Sequence, residues 1–163
     1  MTDINLQALH NFQLFTGFKP LEIQILVDLA EEISFEPGAM IIQEGAVEDC
    51  MYILLEGSVE VSRKSAAQEV ILAELQAATF FGEVALVDDG PRSATVRTTS
   101  KCLVLRIGRD TLRILAGVQP AAALHLLSAI GHSLVLLLRK SNQKYLDLLL
   151  SLQVPIDPEG KID

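Results

Sequence analysis

Tryptophan is absent from the 163 residues, aromatic residues make up only 5%, and just two cysteines occur, Cys50 and Cys102. A core built from this chain must therefore be aliphatic, of Leu, Ile, Val and Ala. Two cysteines are too few for a cysteine-ligated iron–sulfur cluster. Both sit inside strand-like apolar runs and read as packing residues in a reducing compartment. Basic residues are scarce at the start: residues 1–60 hold eleven acids and one base, Lys19. The net charge of −8 argues against nucleic acid as a direct partner. The acidic half reads as solvated surface on an otherwise apolar chain. Long apolar runs are also missing. The longest in the C-terminal segment is Leu134–Leu138, so no membrane span is expected. Met1 to Leu9 have no basic stretch and no long apolar run, so no signal peptide is expected and a cytoplasmic location is the expectation. What is present is globular in character: 50% hydrophobic and 21% charged residues, enough for one domain with one core.

The pattern changes twice along the chain. Pro20, Leu21, Ile25, Val27, Leu29 and Ile33 have helical spacing, with Pro20 suited to a first helical position. From Ser34 to Ile107 the apolar runs shorten to strand length, over Ile41–Gln43, Cys50–Glu56, Ser58–Arg63, Glu69–Leu75, Ser93–Thr99 and Lys101–Ile107. Gly and Pro punctuate them, which predicts a sandwich, barrel or jelly roll. Lys64 to Gln68 reads as a hairpin tip. After Gly108 helical spacing returns. Asp110–Leu115 predicts a short helix broken at Gly117, and Pro120 opens a long helix that Pro155 and Pro158 end. The expectation is mainly β with flanking helices, in a single domain over 1–152. It comprises N-terminal helices over 1–33, a β-roll over 34–108, C-terminal helices over 109–152 and a loose tail over 153–163.

The chemistry concentrates between Phe81 and Val96, a stretch reading Phe-Gly-Glu-Val-Ala-Leu-Val-Asp-Asp-Gly-Pro-Arg-Ser-Ala-Thr-Val. Gly82 ends a strand and frees the backbone to turn, and Glu83 to Leu86 is long enough for one helical turn. The N-terminus of such a turn offers N–H groups to an anion. Arg92, returning from the Asp88–Pro91 loop, adds a guanidinium to the same pocket, so turn and Arg together suit one phosphate. Glu83 would repel a phosphate, but fits as an acceptor for a ligand hydroxyl. One anion clamp plus one hydroxyl acceptor suits a ribose phosphate. Taken singly, Arg92 is an ordinary surface Arg and Glu83 an ordinary helix-start carboxylate. Their joint spacing carries the functional reading.

This segment closely resembles the phosphate-binding cassette of cyclic nucleotide-binding domains. These are shared by the catabolite activator protein, regulatory subunits of protein kinase A and cyclic-nucleotide-gated channels. Pro37-Gly38, Ile41, Glu44-Gly45 and the run from Asp49 to Val61 resemble that family's opening strands, and the likeness covers about residues 15–140. The resemblance implies a double-stranded β-helix, or jelly roll, followed by a long C-terminal helix. It implies that Glu83 binds the ribose 2′-hydroxyl and Arg92 the cyclic phosphate. The backbone N–H groups of Ala85 and Ser93, flanked by Val84 and Ala94, would complete the cradle. Gly82 would allow close approach of the sugar, Val61 and Leu72 would line the base pocket, and part of the long helix would lid the base. Ser93 leaves the purine open. A hydroxyl there is typical of cGMP-kinase sites and also of the bacterial activator that uses cAMP, so the ligand is cAMP or cGMP, with cAMP favoured. No other cofactor, no metal and no catalysis are expected. His10, His125 and His132 all lie outside the β region, whereas a metal-dependent cupin needs ligands on its strands.

In the C-terminal helix an alternating three-and-four spacing runs from Leu124 through Leu127, Leu134, Leu138, Tyr145 and Leu148 to Leu152, with weak positions at Gly131 and Ser141. That is a heptad seam, and it predicts a parallel homodimer through this helix. The bacterial activators follow it with a helix-turn-helix. With the chain stopping at Asp163, no DNA-binding domain is expected. Two functions follow. One is a cyclic nucleotide sensor whose ligand repositions the C-terminal helix and changes a contact with an unidentified protein partner. The other is a ligand-free dimerisation or scaffold module that keeps the fold.

Overall fold

The computed structural model describes residues 6–66 and 68–152. Compact contacts divide the chain into two units between Ala129 and Ile130, where a single unit reaching residue 152 was expected. The first unit opens with a one-turn helix, α1 (Leu6–Leu9), a 3₁₀ turn over Gln13–Phe15, and α2 (Pro20–Leu29). Pro20 takes the first helical position of α2, and the Lys19 N–H donates to the Glu22 carboxylate at 3.0 Å, which closes the helix start. Phe15, Ile23 and Leu26 are fully buried beneath these helices.

Eight strands follow: β1 (Glu31–Phe35), β2 (Met40–Ile42), β3 (Cys50–Glu56), β4 (Ser58–Ser65), β5 (Gln68–Gln76), β6 (Thr79–Phe81), β7 (Thr95–Thr98) and β8 (Cys102–Gly108). They form two antiparallel four-stranded sheets, ordered β1-β8-β3-β6 and β2-β7-β4-β5. Tyr52, Leu54, Phe81 and Val104 from the first sheet and Ile42, Val59 and Val96 from the second meet in one hydrophobic core. Tyr52 and Phe81 stack at 5.5 Å between ring centroids. Sequence patterning bounded β3 correctly, but placed Ile33 in the preceding helix. The Ala30 backbone turns extended after α2, and Ile33 and Phe35 instead alternate inward from β1 onto the core.

α3 (Arg109–Val118) also departs from expectation, because Gly117 lies inside it and does not break it. A helical Gly costs about 1 kcal/mol, which one turn's hydrogen bonding can absorb, and the break comes only at Gln119, before Pro120. α4 (Pro120–Ser151) is 32 residues long. Its first turns belong to the first unit, where Ala122, Ala123 and Leu126 are buried. There His125 Nδ1 lies 2.9 Å from the Glu22 carboxylate, whose residue is 1% exposed. An 18-residue window of α4 has a mean hydropathy of 1.9 and is 22% buried, so by length and composition alone the helix could cross a membrane. Unbroken apolar runs do not reveal this, because single Ser, His and Gly residues interrupt the run while the surrounding Leu, Ile, Val and Ala keep its average high. Pro155, Pro158 and the tail lie outside the described residues.

The Lys19 N–H and, secondarily, His125 hold the Glu22 carboxyl below the usual value near 4.5. A depressed carboxyl stabilises the fold above its unfolded value and loses that contribution as pH falls through the folded one. The melting temperature of the protein should therefore drop more steeply below about pH 4.5 than that of Glu22→Gln. Parallel pH profiles for the two proteins would remove Glu22 from the acid response.

Candidate ligand site

Arg92 is fixed first through its backbone. Its N–H donates to Ala46 O at 2.8 Å and its carbonyl accepts from Gly45 N at 2.9 Å. The side chain then turns inward, so that the residue is 7% exposed. Nε and Nη2 both donate to the Glu48 carboxylate, at 3.2 and 3.0 Å. Nη2 also donates to Cys50 O at 2.6 Å, and Nη1 to Gly82 O at 2.8 Å. A charge this deeply placed is held by one carboxylate and two carbonyls, which is the condition for burying it at all.

The bond from Nη1 joins Arg92 to the turn that sequence reading had singled out. Gly82 has left-handed backbone (φ 75°), and Glu83–Leu86 form a single 3₁₀ turn after it. The left-handed backbone at position 82 favours glycine, and a Cβ there would lie 2.9 Å from both Arg92 Nη1 and Ile42 Cδ1 and displace those side-chain ends. Ala85 is buried, and its N–H makes the first 3₁₀ bond, to Gly82 O at 3.3 Å. Gly82 O thus accepts from both Ala85 and Arg92. Glu83 is half-buried, while Val84 and Ser93 are exposed. Ala94 is half-buried at the entry to β7.

The two expected base-pocket residues part company. Val61 packs against the roll's core. Leu72 is the extra residue at a β-bulge, where Val61 pairs with Ala73 and Ser62 with Ile71, and it is 54% exposed outside the core. Sequence reading missed Glu48 and the Cys50 carbonyl, the main anchors of Arg92. They lie 44 and 42 residues from it, and nothing in the local pattern announces the pairing. Tyr52, on the same face of β3 as Leu54, has its hydroxyl pKa pushed up by burial and by the neighbouring Cys50. It is a core group and does not titrate near neutrality. Among the described residues no cluster of His, Cys, Asp and Glu could hold a metal ion.

A Gly-led 3₁₀ turn and a buried Arg thus meet across ten residues at the mouth of an antiparallel roll. The model of the cyclic nucleotide-binding domain family matches residues 32–117. The chain belongs to that family. Cyclic nucleotide-binding domains are regulatory modules, and the roll described here is this chain's version of one. The regulatory subunit of cAMP-dependent protein kinase from Aspergillus fumigatus is 36% identical over 109 residues, which is 67% of this chain and 26% of that protein. Among solved structures, the catabolite activator protein of Thermus thermophilus superimposes with a TM-score of 0.73 at 29% identity, covering 84% of this chain and 62% of that one. The regulatory domain of Toxoplasma gondii PKA, co-crystallised with cAMP, gives a TM-score of 0.61 at 28% identity, covering 67% and 42%. The cyclic nucleotide-binding domain here therefore spans about a quarter of the fungal subunit's length.

Proposed function

We propose that this domain binds a cyclic nucleoside monophosphate, cAMP in preference to cGMP, and that the ligand repositions the C-terminal helix. Arg92 holds the cyclic phosphate, Glu83 accepts from the ribose 2′-hydroxyl, and the N–H of Ser93 completes the cradle with that of Ala85, which exchanges its 3.3 Å bond to Gly82 O for the ligand. The observation that carries this reading is the orientation of Arg92. Bonds to Glu48, Cys50 and Gly82 engage four of its five N–H groups and leave one Nη1 hydrogen for a ligand oxygen. The Glu48 side chain is partly exposed, so its carboxylate can yield to a phosphate without being stranded. The kinship with cAMP-named proteins supports the choice of purine. The two buried free thiols support a reducing, cytoplasmic setting. Calorimetric titration with cAMP and with cGMP is the test. Micromolar or tighter binding of cAMP is expected, and no heat with either nucleotide would retire the reading.

The second reading, a dimerisation module without ligand, draws on the same helix. Leu138, Tyr145 and Leu148 on the heptad seam of α4, and Leu152 just after it, are all exposed in the single chain. We read the seam as the face of a parallel homodimer. Leu138→Asp places two carboxylates in that seam and should shift the dimer to monomer, weakening association by at least about tenfold in light scattering. A dimer unaffected by Leu138→Asp puts its interface elsewhere. A dimer fraction that responds to cAMP favours the sensor, and one indifferent to it favours the module.

A further inference from the structure

Arg109, the first residue of α3, reaches back to the ligand turn at three points. Nε donates to Ala85 O at 2.9 Å, Nη2 donates to Asp88 O at 2.5 Å, and Nη1 pairs with the Asp89 carboxylate. Its backbone N–H donates to Asp49 O at 3.0 Å, between the two residues that anchor Arg92. One residue thus joins the 3₁₀ turn and its loop to Asp49, the residue before β3.

The turn packs Ala85 and Leu86 against β3, but the side facing α3 is open. A cavity of about 240 Å³ lies there, lined by Leu86, Val87, Asp89, Arg109, Leu112 and Arg113. Arg113 does not second the grip, since its guanidinium pairs with Asp110 in its own helix. Across this open cleft, the three guanidinium bonds tie the turn and the Asp88–Asp89 loop to the start of α3. A planar fork with donors on three nitrogens can reach these three acceptors at once, whereas an ammonium has all its donors on one nitrogen. The carboxyl of Asp89 is held below its usual range by Arg109, in keeping with a formed pair.

We infer that Arg109 is a positioning residue: it sets the ligand turn and carries the turn's displacements into α3. Its link to ligand binding rests on the proposed function. Its grip on the turn does not, because that grip is present without ligand.

The test is amide hydrogen exchange on the full chain, with and without cAMP, for the wild type, Arg109→Gln and Arg109→Lys. In the ligand-free protein the Val87 and Asp88 amides donate to Val84 O at 3.0 and 2.8 Å. They should exchange about tenfold faster in Arg109→Gln, with β3 and β8 unchanged and Arg109→Lys in between. With cAMP, the wild type should slow exchange in both the turn and α3. Arg109→Gln should still bind, about tenfold more weakly, with the α3 response lost. Unchanged exchange at Val87 and Asp88 in ligand-free Arg109→Gln overturns the inference, as does an α3 response that survives at saturating cAMP. A wild type that ignores cAMP, with the turn still loosened in Arg109→Gln, sinks the ligand reading while upholding the grip. Should Arg109→Gln fail to fold, Asp89→Asn removes only the charged partner at the rim. A two- to threefold loosening of the turn is expected there, by the weakening of one exposed pair, and none would count against the inference.

Discussion

Arg92→Ala is expected to weaken cyclic nucleotide binding by about 2–5 kcal/mol, some thirtyfold to several thousandfold, read by calorimetry. The magnitude follows from the burial of the guanidinium. An exposed Arg beside a phosphate is screened and worth little, but this one is 7% exposed and oriented by three protein partners before any ligand arrives. The same partners imply a second effect. Removing the side chain leaves Cys50 O and Gly82 O without their charged donor, at about 1–3 kcal/mol for each acceptor that water cannot reach. The variant should therefore melt lower as well as bind worse. Arg92→Lys separates the two effects: it keeps the charge but not the fork, and should recover stability more fully than affinity. Full affinity in Arg92→Ala would mean that the phosphate is held elsewhere.

Gly57→Ala should be the most destabilising single methyl in the chain, at about 3–5 kcal/mol. Gly57 joins β3 to β4 with φ at +90°, a conformation that costs any other residue strain. A Cβ there would lie 2.3 Å from Lys101 O and 2.7 Å from Cys102 Sγ. The backbone oxygen belongs to the turn into β8 and cannot retreat without opening that turn. Gly108→Ala is the control. Its φ is −88° and a Cβ there meets nothing within 4 Å, so it should change stability by less than about 1 kcal/mol. Denaturant unfolding of both variants gives the comparison. Similar losses would show that the corner at Gly57 tolerates relaxation that its contacts do not suggest.

How far the sequence could be read depended on how local each cause was. Cys50–Glu56 announced β3 because a run of buried apolar residues ends at a Glu-Gly corner. The turn after Gly82 announced itself because a positive-φ glycine, a short apolar turn and a returning Arg are neighbours in the chain. β1 was hidden because its alternation begins one residue after a helix with similar composition. β6, at three residues, is too short to show a period. The partners of Arg92 and the grip of Arg109 were not legible at all. Glu48 meets Arg92, and Arg109 meets Asp89, only after β3 and β8 pair in register and bring distant chain ends together. Motif reading finds the group that touches the ligand. Folding decides which groups hold it.

The most direct measurement is a crystal structure of the chain grown in millimolar cAMP. The account predicts a nucleotide in the roll, with its cyclic phosphate against the guanidinium of Arg92 and its 2′-hydroxyl on the carboxylate of Glu83. An empty pocket under those conditions, with Arg92 still closed on Glu48, Cys50 and Gly82, would contradict it.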